Sequence, residues 1–137
     1  QLRNAVDEAD LAEERFQLKG AVPEVKPYLQ SCDILVLPSR LDGRPTVVME
    51  ALASGVPVIA SRVGALPEIF EEGRQGFLCS PGDYDSFARH IVELASDARK
   101  LAQFKADARL LAEERLDIRV MLGTYERELR SLIASRG

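Results

Sequence analysis

Asp42 and Glu50 stand eight positions apart in SRLDGRPTVVMEALASGVPVIAS, on either side of a Gly43-Arg44-Pro45 break. With Pro45 as the first helical residue, Glu50 lies about one and a half turns in, roughly 7.5 Å along the axis. Val48, Met49 and Leu52 then form the apolar stripe, and Glu50 projects among Thr46, Val47, Ala53 and Ser54, most of them small. Asp42 sits in the preceding loop beside Gly43, where backbone can approach a ligand closely. The backbone from Arg44 through Pro45 and Thr46 to Val47 opens a helix, and its unpaired amides favour an anion such as a diphosphate. A carboxylate further along can accept two hydrogen bonds from a ribose diol, and one in the loop can accept from the hydroxyls of a sugar attached to that diphosphate. A plainer reading stands beside this one: Asp42 helps cap the helix and Glu50 is a solvated surface acid.

The elements that must position this pair follow from the pattern around it. Residues 2–14 read as helix, and RFQLKG (15–20) alternates like a short strand. PYLQSC (27–32) is a short helix with Pro27 at its start. DILVLPS (33–39) is a continuous apolar run, the pattern of a strand buried on both faces. A helix over 45–54 stops at Gly55, the residue expected just past a helix end. VPVIAS (56–61) and GFLCS (76–80) are further strands, with a helix over 66–72 between them and Gly73 after it. From residue 83 onward the chain is helical, over 83–96, 97–114 and 117–135. Strands alternating with helices predict an α/β fold, a Rossmann-like parallel sheet with helices on both faces. Three strands end in small polar residues, at Ser39, Ser61 and Ser80, and open parallel sheets bind ligands beyond such ends. Small residues also simply suit tight strand-to-helix turns.

The 137 residues are one domain's worth of chain, 46% hydrophobic and 29% charged, with a formal charge of -4. With no basic run and eight aromatics among 137 residues, a nucleic-acid partner is not expected. The longest apolar run, 34–37, is far short of a membrane span. Cys32, Cys79 and the one histidine, His90, assemble no Cys/His zinc set, so no metal site is expected. The cysteines read as reduced thiols of a cytoplasmic protein. His90 shares a polar row with Ser86, Glu93 and Asp97 and reads as surface, while Phe87, Ile91, Leu94 and Ala95 make that helix's buried face. Arg40, Arg44 and Arg62 fall near strand ends, as phosphate partners or as plain surface arginines.

The stretch LPSRLDGRPTVVMEALASGVPVIASRVGALPEIF closely resembles the signature of the retaining GT-B glycosyltransferases of family 4, the glycosyl transferases of group 1. That signature is a strand ending in PS, then E-G-x-x-x-x-x-x-E-A-x-A-x-G-x-P-V-I-A and G-G-x-P-E. RFQLKGAVPEVKPYLQSCDILVLPS on one side, and GFLCSPGDYDSFARHIVEL and EERLDIRVMLGTYERELRSL on the other, extend the likeness over nearly the whole chain. The resemblance implies transfer of a hexose from a nucleoside diphosphate sugar to an acceptor alcohol, with the anomeric configuration kept and with no cofactor beyond that donor. It gives Glu50 the ribose, places Asp42 where the family's first glutamate contacts the donor sugar, and turns backbone at Gly43, Arg44, Pro45, Thr46 and Val47 toward sugar and diphosphate. Gly20 to Val22 match the turn near the nucleobase.

Two positions depart from the signature. Asp42 replaces a glutamate and is one bond, about 1.5 Å, shorter. Ala65 replaces the second glycine of G-G-x-P-E, which bears on any positive φ there. The resemblance also implies that residues 1–137 are a partial nucleotide-sugar-binding domain, including C-terminal helices over 83–135. The family's first two strands, with their phosphate-binding arginine and lysine, and its N-terminal acceptor domain are not in this sequence. An inactive fragment is therefore expected, with RFQLKG pairing with DILVLPS, detached, or completed by another chain. The last helix carries Ile118, Met121, Leu122, Tyr125, Leu129, Leu132 and Ile133 on one stripe. That stripe leaves open self-association, and the resemblance leaves open peripheral membrane association of the complete enzyme. The rival readings are a non-catalytic nucleotide-sugar-binding module and another GT-B enzyme, such as a sugar-nucleotide epimerase or a phosphorylase.

Overall fold

The computed structural model describes residues 16–134. The helix expected over 2–14, Arg15 of RFQLKG and Ser135 lie outside the described residues. Chain order is α1 (Lys26–Ser31), β1 (Leu35–Leu37), α2 (Thr46–Ala53), β2 (Val58–Ser61), α3 (Leu66–Ile69) and β3 (Gly76–Cys79). Then come α4 (Tyr84–Ser96), α5 (Ala98–Leu111), a π-helical turn (Ala112–Leu116) and α6 (Ile118–Ala134). The strands form one parallel sheet in the order β1-β2-β3. Leu35 stands opposite Val58, and Val58 opposite Gly76.

β2 is the centre of the molecule. Its pleat sends Val58 and Ala60 to one face and Ile59 to the other. On the first face they meet Val48, Ala51 and Leu52 of α2, Leu66 and Ile69 of α3, and Ala108 and Leu111 of α5. On the second, Ile59 packs with Phe77 and Cys79 of β3, Phe87 and Leu94 of α4, and Phe104 of α5. Helices thus cover both faces, and α5 serves both clusters. Leu52, Ile59, Leu66 and Leu94 are fully buried, each worth about 1.5–3 kcal/mol of apolar transfer.

Helix ends follow local chemistry. Asp83 caps α4 by accepting from the Ser86 amide, and Asp97 caps α5 by accepting from the amides of Arg99 and Lys100. Gly55 follows α2 with φ +72, the left-handed stop expected there. The helix expected over 66–72 ends at Ile69, because Phe70 turns extended and is buried, and Glu72 instead forms an isolated bridge to Gly76.

Three expectations are corrected on the flanks. Residues 16–20 form no strand, and Gln17 to Gly20 are exposed. Of the arrangements expected for RFQLKG, pairing with DILVLPS is not taken, because among the described residues no strand edge meets residues 16–20. DILVLPS is not buried on both faces: Leu35 and Leu37 are half-buried and Val36 is 39% exposed. β1 pairs with β2 on one side only, and its outer edge has no strand neighbour among the described residues. On α4, His90 is not a plain surface side chain. Its ring stacks on Phe77 with centroids 4.0 Å apart, and its Nδ1 lies 3.0 Å from Glu93 Oε2. The cause is the seating of α4 on β3, which draws in the flank carrying His90 and leaves Ala95 exposed.

Candidate functional site

The loop after β1 and the helix it feeds carry the two acids. α2 begins at Thr46, with Pro45 as the extended N-cap instead of the first helical residue. No side chain caps this end, so the first-turn amides of Thr46 and Val47 leave the helix without a side-chain acceptor. That removes the plainer reading of Asp42, which does not cap α2. Pro45 is buried beneath the helix start, Val47 is half-buried against the core, and Thr46 is exposed. Gly43 and Arg44 are exposed, and Asp42 is half-buried.

Glu50 is exposed on α2, away from the face that buries Val48, Ala51 and Leu52. Ala51 takes the buried place the sequence stripe gave to Met49, which is half-buried. The Glu50 carboxylate forms no ion pair or hydrogen bond with another of the described residues. It opens on a groove of about 890 Å3 that Glu24, Val25, Lys26, Leu29 and Gln30 line from α1 and the turn before it. Ala53, Ser54 and Arg109 close the other wall.

The structure brings some of the expected site residues together and keeps others apart. Gly20 adopts φ +66 in an exposed turn and Val22 is half-buried, yet neither lines the groove. The groove instead meets the same segment two residues further on, at Glu24 to Lys26. Asp42 does not share that groove with Glu50. Arg44 lines a smaller cleft of about 290 Å3 with Glu68 and Arg115. Arg62 is committed elsewhere, 2.5 Å from Glu72. Ala65 sits at φ -81, and the left-handed residue of that turn is Gly64 at φ +52. The Ala65 departure therefore costs no backbone strain.

Arg109 is the neighbour of Glu50 that sequence reasoning missed. Its guanidinium donates to the Ala53 carbonyl at 2.6 Å and to Glu113 at 2.7 Å, pinning the C-terminal end of α2 to α5. Nothing in 97–114 beyond helical period marks it. Other titratable groups are shifted away from this site. Burial pushes the Cys79 thiol up, so it behaves as an inert core thiol. Lys100, and then His90, hold the Glu93 carboxyl below its ordinary range. Among the described residues no group of three His, Cys, Asp or Glu side chains could hold a metal ion. No described helix is long and apolar enough to cross a membrane.

Residues 1–97 match the family described as glycosyl transferases group 1. The chain belongs to that family. It is 36% identical over 103 residues to the amylovoran biosynthesis glycosyltransferase AmsK of Erwinia amylovora, covering 69% of this chain and 25% of that protein. Among solved structures, HepE of Anabaena in complex with UDP superimposes with a TM-score of 0.86 at 27% identity, over 95% of this chain and 36% of that one. HepE has also been solved with UDP-glucose. The C-terminal domain of LpcC, a glycosyl transferase group 1 protein of Francisella tularensis, matches with a TM-score of 0.75 at 26% identity, over 85% of this chain and 61% of that domain. The chain thus spans about a quarter of the curated relative AmsK. The neighbours bear out the α/β fold, that of the GT-B glycosyltransferases.

Proposed function

We propose that this chain is the donor-binding part of a retaining glycosyltransferase that moves a hexose from a nucleoside diphosphate sugar to an acceptor alcohol. One observation carries the reading: the uncapped start of α2 stands behind an exposed Gly43-Arg44 loop, with an exposed carboxylate further along the same helix, Glu50, that pairs with no other described residue. The diphosphate would dock against the amides of Thr46 and Val47, where the helix end favours negative charge. Glu50 would accept from the ribose diol, and the base would lie toward the turn at Gly20 to Val22 and the groove beyond it. Asp42 would face the hexose from the loop. As the bond from the anomeric carbon to the diphosphate breaks, charge grows on the leaving oxygen, and donors already in place stabilise it without reorganising.

The UDP and UDP-glucose complexes of HepE support this reading by likeness. The acceptor would be held by a further domain, as the short share of the relatives covered by this chain suggests. No cofactor beyond the donor, a cytoplasmic location and peripheral contact with a membrane belong to the same proposal. A second reading, a non-catalytic nucleotide-sugar module, is favoured by Asp42, whose side chain is one bond shorter than the glutamate of the signature. A large gain in turnover for Asp42→Glu in the complete enzyme would support that impaired site.

The direct test is an amide-resolved NMR titration of the chain with UDP-glucose. Shifts should cluster at residues 43–47, at Glu50 and along 20–26. Shifts confined to α4, or none at all, would end the proposal.

A further inference from the structure

Two turns distant in sequence meet through backbone alone beside the candidate site. The Ala65 amide donates to the Gly43 carbonyl at 3.0 Å. One residue earlier, a Cβ placed on Gly64 would lie 2.0 Å from the Asp42 carbonyl oxygen and 2.4 Å from that of Gly43. Real Cβ atoms essentially never come within 3.0 Å of a neighbour. Both obstacles are peptide carbonyls, which cannot swing aside as the tip of a long side chain can. Gly64 is also left-handed, at φ +52, where a side chain adds strain of its own. Gly43 is the opposite case. It has no positive φ, and a Cβ there would meet nothing within 4 Å, so the fold does not require glycine at that position.

We infer that Gly64 is a positioning residue: its bare Cα lets the turn after β2 press against the Asp42-Gly43 loop and fixes where that loop stands over the sheet. β2 is fully buried along its length, so the turn it carries is a rigid reference. The loop after β1 has no such anchor of its own, because β1 is a half-exposed edge strand. Gly64 and the Ala65 amide therefore transfer the precision of the central strand to Asp42 and to the first turn of α2. A substituted position 64 pushes the loop outward, moving the groups assigned to hexose and diphosphate and leaving Glu50, further down the helix, nearly in place. The brace rests on geometry alone, and its effect on ligand binding rests on the donor-binding reading above.

The test joins hydrogen exchange to ligand titration in the 137-residue chain, comparing wild type, Gly64→Ala and Gly73→Ala. Gly73 is equally left-handed, at φ +82, but a Cβ there meets nothing within 4 Å, so it controls for backbone strain without a clash. In the wild type the Ala65 amide should be protected from exchange. In Gly64→Ala it should exchange on the order of tenfold faster, with shifted resonances at Asp42 and Gly43. UDP-glucose affinity should fall by on the order of tenfold, the worth of one hydrogen bond to a charged group, while UMP affinity changes by less than about threefold. Gly73→Ala should match the wild type in both ligands. The inference is overturned if the wild-type Ala65 amide is unprotected, a reading that needs no variant to fold. It is equally overturned if Gly64→Ala leaves exchange and UDP-glucose binding unchanged, or if Gly73→Ala loses the same affinity. Lost protection in Gly64→Ala with a wild type that ignores UDP-glucose would uphold the brace and sink the donor-binding reading instead.

Discussion

α4 and α6 look alike in sequence and end in different situations. Each carries an apolar stripe at helical spacing, and each starts from an aspartate. α4 buries Phe87 and Leu94 against β2 and β3, and Leu94 is fully enclosed. α6 buries none of its residues, and Ile118, Met121, Leu122, Tyr125 and Leu129 are exposed along it. An amphipathic period therefore states that a helix has a face to cover, and does not say what covers it. The difference lies in the sheet. β2 and β3 offer Ile59, Phe77 and Cys79 as a seat for α4, whereas α6, which follows the π-helical turn and the extended Asp117, buries no residue of its own.

The sharpest way to break this contrast is to truncate one leucine on each helix. Leu94→Ala should cost about 2–5 kcal/mol in urea unfolding, the range for emptying a packed core site. Leu129→Ala, at 58% exposure, should change stability by less than about 0.5 kcal/mol. Equal losses would mean that α6 is seated as firmly as α4. A smaller effect tests how dry the seat under α4 is. Ser61 lies, by strand alternation, on the Ile59 face of β2. Its hydroxyl is fully buried, with no hydrogen-bond partner among the described residues. Ser61→Ala should stabilise the protein by about 1 kcal/mol, and a clear loss would reveal a partner for that hydroxyl.

Acid provides the mildest perturbation. Asp117, at the start of α6, is held at about 2, below its ordinary 3.8, by the Arg119 guanidinium and then the Arg119 amide. Asp83, the cap of α4, is lowered in the same direction by the Ser86 hydroxyl and amide. A lowered carboxylate contributes its stabilisation fully above its unfolded value and loses it as pH falls toward the folded one. For Asp117 that window runs from 3.8 down to about 2. Over it, circular dichroism and amide shifts should report fraying of the first turn of α6, while α4, held by Phe87 and Leu94, stays formed. Simultaneous fraying of both helices would contradict the contrast.

Much of the fold was legible because local and tertiary signals agree. VPVIAS and GFLCS read as strands, and the strands they form are buried at every position. Gly55, Asp83 and Asp97 mark helix ends by chemistry that needs no tertiary partner. DILVLPS carries the same apolar signal as VPVIAS, yet its burial depends on neighbours beyond its outer edge, which a local pattern does not encode. Residues 16–20 form no strand for the same reason. At the candidate site, the order of loop, helix start and acid is written in sequence spacing, so the places of Asp42 and Gly43 in the loop and of Glu50 on the helix could be read there. Arg109 could not, because its tie to Ala53 spans 56 residues and depends on how α5 crosses α2. Nor could the pressing of Gly64 on the Asp42-Gly43 loop, which exists only once β1 and β2 lie side by side.

In the proposed donor site, the carboxylate at position 50 grips the pentose of a nucleotide docked at the start of α2. Calorimetric titration of UDP into the wild-type chain and into Glu50→Ala measures it directly. Glu50→Ala should lose about 1.5–3 kcal/mol in binding free energy, the worth of hydrogen bonds to a charged group, with the thermal unfolding midpoint unchanged because Glu50 is exposed. UDP binding with the same affinity in both proteins would contradict it.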